Sequence, residues 1–131
     1  MFMLDTDTCS YILKKRPASV LEKFKAVGPD ELVVSAITVA ELHYGAERHP
    51  TRSAEIRSEI DDFVSRLVVL PWRAELEYAR VRCALESGGA QIGNNDLLIG
   101  THALAEGATL VTNNLRHFGR IDGLRIEAWV A

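Results

Sequence analysis

Short apolar runs alternating with longer amphipathic stretches constrain this chain more than any other feature. Leu32-Val33-Val34-Ser35, Leu67-Val68-Val69-Leu70 and Ala108-Thr109-Leu110-Val111 have strand length and strand composition. Met1–Leu4 is a fourth such run, ended by Asp5, and Leu124–Glu127 reads as an edge strand. Between them, Thr8–Lys15, Ala18–Val27, Thr38–Glu47, Pro50–Leu67, Arg73–Ser87 and Asn95–Glu106 read as helices, with one further turn over Leu115–Phe118. In the longest, Ile56, Ile60, Phe63 and Leu67 recur at spacings that fill one helical face. Gly28-Pro29-Asp30, Pro71, Gly88-Gly89 and Gly107 punctuate the segments. Strands alternating with helices make βαβ units, so the expected class is α/β. The sheet should be mostly parallel, with about four to five strands and helices on both faces. A length of 131 residues suits a single domain spanning 1–131. In such folds ligands bind beyond the carboxyl ends of the strands.

Acidic and amide side chains fall at those ends. Asp5 closes the first strand, Glu41 lies early in the helix after the second, Asp96 opens the helix before the fourth, and Asn114 follows the fourth. Each has a structural explanation of its own. Thr38-x-x-Glu41 has the form of a capping box. Asp5 or Asp7 suits the cap of the first helix, and Asn114 that of the last. Asp96 in a first turn suits the helix dipole. Capping does not, however, require apolar surroundings. Asp5 follows four apolar residues, Glu41 sits among Val39, Ala40 and Leu42, and Asp96 precedes Leu97-Leu98-Ile99. Carboxylates gathered beside buried segments repel one another unless protonated or neutralised by a cation. A hard divalent ion with oxygen ligands, Mg²⁺ or Mn²⁺, is the natural solution. Such an ion activates water and neutralises a phosphodiester.

The formal net charge of −3 excludes a globally basic nucleic-acid binder but not a local basic patch. Residues 1–29 carry a net +2, residues 30–106 a net −6 and residues 107–131 a net +1. Part of the central deficit would then belong to the acidic site itself. Cys9 and Cys83 form no C-x-x-C pair, and the chain opens without a positively charged leader, so a reduced, cytoplasmic compartment is expected. His43 and His102 are expected at a core edge or in solvent, and no apolar run reaches membrane-span length.

The motifs Leu4-Asp5-Thr6-Asp7, Ala40-Glu41-Leu42 with Tyr44-Gly45-Ala46, Asn95-Asp96-Leu97-Leu98-Ile99-Gly100-Thr101-His102-Ala103 and Val111-Thr112-Asn113-Asn114 with Phe118 occur in this order and spacing. Together they resemble the PIN-domain ribonucleases, specifically the VapC toxins of type II toxin–antitoxin systems, over the whole chain. The resemblance implies a PIN-like α/β/α sandwich and an acidic site of Asp5, Glu41 and Asp96 binding Mg²⁺ or Mn²⁺. It implies a water-mediated cut of RNA, notably tRNA, that leaves a 5′-phosphate and a 3′-hydroxyl and inhibits translation. It further implies neutralisation by a VapB antitoxin whose C-terminal segment fills the groove, a homodimer, and contact with operator DNA only through the antitoxin. Thr6 and Thr112 match hydroxyl positions of the family, expected to orient Asp5 or water. Two positions depart from the pattern. Asn114 stands where many PIN domains carry a fourth Asp, which puts a second metal site in question. Asp7 stands where the family often has Asn or Ser, and either restores charge or caps the helix.

Lys14, Lys15 and Arg16, with Arg116, Arg120 and Arg125, are the candidates to hold RNA, since they lie in the two positively balanced segments. Trp72, Trp129 and Tyr44 are candidates to stack on bases, with core or dimer packing as the competing reading. Two rival functions remain open in the residues. Asp5-Thr6-Asp7 after a strand also suits a haloacid-dehalogenase-type phosphatase, but only 19 residues follow Thr112 and none is the required Lys. A non-catalytic α/β binding module would show no metal dependence.

Overall fold

The computed structural model describes all residues, 1–131. Five strands, β1 (Phe2–Leu4), β2 (Leu32–Ser35), β3 (Val68–Leu70), β4 (Thr109–Val111) and β5 (Ile126–Glu127), form one sheet in the order β3-β2-β1-β4-β5. Every pairing is parallel, with Phe2 opposite both Leu32 and Thr109, Val33 opposite Val68, and Leu110 opposite Ile126. Seven helices make the crossovers: α1 (Thr6–Lys14), α2 (Ala18–Val27), α3 (Ala36–Arg48), α4 (Ser53–Ser65), α5 (Glu75–Ser87), α6 (Asn94–Glu106) and α7 (Leu115–Phe118). The expected α/β class and parallel sheet are what the chain adopts.

The strands' two-residue period sorts their side chains between two cores. Leu4, Leu32, Val34 and Val111 pack with Ile12, Val20, Ile60, Phe63 and Trp129 on the face covered by α1–α4. Met3, Val33 and Leu110 pack with Ile99, Ala103, Phe118 and Ile121 on the other face. Trp129 is 5% exposed and tilts against Phe2 at 6.0 Å between ring centroids, so it closes the first core and offers no stacking surface. The second core depends on Gly100: a Cβ there would lie 2.6 Å from Ile121 Cδ1 and 3.1 Å from Phe118 Cδ1. With no side chain at position 100, Phe118 at the end of α7 and Ile121 in the turn after it pack directly on the α6 backbone.

Helix starts differ from the sequence expectation. α3 begins two residues earlier than Thr38, because Ser35 at the strand end accepts a hydrogen bond from Ile37 N–H at 3.1 Å. Thr38 is thereby buried inside the helix with its hydroxyl unpartnered, and the Thr38–Glu41 capping box does not form. Pro50 lies in the turn between α3 and α4 and starts no helix. His102 is not at a core edge. It is fully buried, its Nδ1 2.8 Å from Ser35 Oγ, and burial pushes its pKa down from 6.5.

Candidate active site

β1 occupies the middle of the sheet. Its sequence successors β2 and β3 extend one way, and β4 and β5 the other. The switch point therefore lies between β1 and β4, and their carboxyl ends deliver Asp5 and Thr112 side by side. Asp5 N–H donates to Val111 carbonyl at 3.0 Å. Asp5 caps α1, accepting from Thr8 N–H at 2.8 Å, while the Thr8 hydroxyl donates to Val111 carbonyl at 3.2 Å. The Asp5 carboxyl is 5% exposed. Burial holds its pKa above the usual carboxylate value, against the opposing hydrogen bonds of Thr112 and Thr8. Thr112 is fixed in turn: its hydroxyl accepts from Asn114 N–H at 2.9 Å.

Glu41 faces this strand end from the second turn of α3. Thr6 donates its hydroxyl proton to Glu41 Oε1, and Asn95 Nδ2 donates to Oε2 at 2.7 Å. Thr6 thus orients Glu41 rather than Asp5. Asn95 enters the site unannounced by the sequence reading; its one signal is its place beside Asp96 in the first turn of α6. Asp96 is half-buried. Burial raises its pKa first, the negative charge of Glu41 second, and His117 opposes both. His117 Nδ1 lies 3.8 Å from Asp96 Oδ2 and 2.8 Å from Asn114 Nδ2. Asn114 consequently spends its amide on His117 and makes no side-chain cap for α7, contrary to expectation. The spacing of Asn114 and His117, one helical turn apart, is the signal that could have paired them. Asp7 is exposed and caps nothing, yet its charge also raises the pKa of Asp5 and Asp96.

Asp5, Glu41, Asp96 and Asp7 therefore share one negative field at the carboxyl end of the sheet. As they stand, no three acidic, His or Cys side chains converge closely enough to hold an ion. Glu41 is committed to Thr6 and Asn95. The donor set is all oxygen beside an excess of negative charge, which fits Mg²⁺ or Mn²⁺ and does not suit a softer metal.

The basic candidates do not form one group. Lys14 borders a groove that opens from Thr6 and Glu41, whereas Lys15 lines another between α1, α2 and α4. Arg16 and Arg116 are exposed without ion-pair partners. Arg120 donates to Gln91 carbonyl at 2.8 Å. Arg125 binds Gly107 carbonyl and the Thr109 hydroxyl, at the amino end of β4 and so on the far side of the sheet from the acids. Trp72 donates its indole N–H to Leu98 carbonyl and meets Tyr78 edge-on, which leaves Tyr44, 63% exposed, as the open aromatic ring.

The PIN domain model matches residues 2–124. A Haemophilus influenzae protein named ribonuclease VapC2 is 41% identical to the chain, with 98% of each covered. The tRNA(fMet)-specific endonuclease VapC of Salmonella typhimurium is 39% identical, covering 98% of this chain and 97% of its own. A DNA-bound VapBC structure from Salmonella typhimurium superposes with a TM-score of 0.92 at 38% identity, with 98% of both chains covered. With a family model matching most of the chain, full-length similarity to VapC ribonucleases and a shared fold, the chain belongs to the PIN-domain family, among its VapC ribonucleases.

Proposed function

We propose that this protein is the metal-dependent endoribonuclease toxin of a VapBC-type pair. The reading rests on one observation above the rest: Asp5, Glu41 and Asp96 come from three separate segments to the carboxyl end of a parallel sheet, where the charge of Glu41 disfavours ionisation of Asp96. Asp5, Asp96 and Glu41 would hold Mg²⁺ or Mn²⁺, which supplies an activated water and neutralises charge on the phosphodiester. The chain's own residues do the positioning. The α1 cap and Thr112 fix the rotamer of Asp5, Thr6 and Asn95 fix both oxygens of Glu41, and His117 offsets part of the negative field at Asp96. Asn114, an amide, adds no charge, so the site favours one fully held ion.

The substrate is RNA, with tRNA favoured by the name of the Salmonella relative. The partner is a VapB-type antitoxin, as in the VapBC complexes that the fold matches, and DNA contact passes through that antitoxin. No helix is long and apolar enough to cross a membrane, which is compatible with action in the cytoplasm. A second copy of the chain completes a homodimer. Membership of the PIN family leaves no support for a haloacid-dehalogenase-type phosphatase, and metal-dependent cleavage would set the protein apart from a non-catalytic module. The deciding experiment is induced expression of wild type and Asp96→Asn, with sequencing of 5′-phosphate RNA ends. New ends and growth arrest are expected with wild type alone. Equal toxicity in both strains, or cleavage by the purified protein in EDTA, would overturn the mechanism.

A further inference from the structure

A groove of about 590 Å³ leaves the acidic site between α1 and α3 and continues toward α4. Its walls are two helical stripes. Thr6, Ser10 and Lys14 stand one above another on α1, four residues apart, and Glu41, Tyr44 and Arg48 stand on α3 at spacings of three and four. Each stripe begins at the acidic site and ends in a cation. Neither Lys14 nor Arg48 has a carboxylate partner, whereas Arg52, further along, is bonded to Glu55 and lies 3.6 Å from Glu59. Between the site and Arg48 lies Tyr44, 63% exposed, with the Arg48 guanidinium 5.4 Å from its ring centroid. The guanidinium covers part of one face, and the rest of the ring is open to a stacking partner. Seven residues of helix advance about 10 Å, roughly three nucleotides at a stacked rise of 3.4 Å.

Resting on the ribonuclease reading, we propose that this groove carries the single-stranded RNA flanking the cut. Tyr44 stacks on a base, and Lys14 and Arg48 hold phosphates on opposite walls. Two unpaired cations at the ends of both stripes match a polyanion threading between them. The same groove is also lined by Leu13, Leu42, Ile56 and Ile60, so an antitoxin peptide is the alternative occupant that the test separates.

The test measures binding without cleavage. A short fluorescein-labelled oligouridylate is titrated by anisotropy in the Asp96→Asn background over a series of KCl concentrations. Lys14→Ala and Arg48→Ala should each reduce the slope of log affinity against log salt by about 0.7, the value for one phosphate contact on a single strand. Arg48→Lys should retain the slope. Tyr44→Ala should weaken binding roughly tenfold with the slope unchanged, as loss of a stacked base does. All three positions are exposed, so melting temperatures should stay near the parent's and report any misfolded variant. Affinities and slopes equal to the parent's in every variant would overturn the proposal. So would loss of binding to an antitoxin C-terminal peptide with RNA binding intact. Failure of the nuclease reading looks different, because the wild-type protein would then not cut RNA at all.

Discussion

Asp96 is half-buried beside Glu41 and Asp7, so its ionised form is disfavoured in the folded chain relative to the unfolded one. With a raised native pKa, the folded state binds more protons than the unfolded state, and stability falls as pH rises through that interval. Asp96→Asn removes the charge and keeps the shape. The metal-free variant should therefore melt above the wild type at neutral pH, while losing the stabilisation that Mn²⁺ gives the wild type, about 2.7 kcal/mol at a hundredfold excess over Kd. Calorimetry with and without Mn²⁺ checks both signs; an equal Mn²⁺ response in the two proteins would exclude Asp96 as a ligand. Asn95 is the position where sequence reading fell short. Its partner Glu41 lies 54 residues away, and nothing local distinguishes an amide that holds a carboxylate from one that merely starts a helix. Asn95→Ala should lower Mn²⁺ affinity on the order of tenfold by titration calorimetry, the usual effect of freeing a metal ligand from its support. Asn95→Asp, which sets a second charge against Glu41, should fail to restore it.

At the scale of elements, every strand and helix was legible, because the two periods and the Gly and Pro punctuation are local signals. Element starts were less so. Ser35 and Thr38 are both good caps, and which one serves depends on where β2 stops, which its pairing with β3 decides. That choice has a second effect. The Ser35 hydroxyl that caps α3 also meets His102 of α6, tying two helices to one strand end. His102 is neutral in this setting, and burial lowers its pKa below 6.5. The unfolded chain therefore takes up the proton first as pH falls. Stability contributed by this contact is present above about 6.5 and declines from there toward the folded pKa. Denaturant melts between neutral pH and pH 5 should show the decline, and His102→Gln should flatten it. An unchanged profile in the variant would assign the acid sensitivity to other groups.

At the scale of the whole molecule, the sheet has two unlike edges. β5 is short and half-covered. β3 exposes Val68 at 55% and Val69 at 38%, and Leu76 on α5 is 64% exposed. An open apolar edge invites pairing with another chain, and the second copy proposed above would cover it. Val69→Lys should convert a dimer to a monomer in size-exclusion chromatography with light scattering; an unchanged mass would move the interface elsewhere. Gly100 has a consequence of another kind. It lies outside the acidic cluster, yet α7, which begins just after Asn114 and carries His117, packs through Phe118 directly on Gly100 of α6. A Cβ at that position should cost about 1–3 kcal/mol through overpacking and push α7 outward, carrying His117 away from Asp96. In a genetic screen for survivors of the toxin, Gly100 should thus appear among the acidic residues. An investigator mapping those hits onto the sequence alone would mistake a spacer for a ligand.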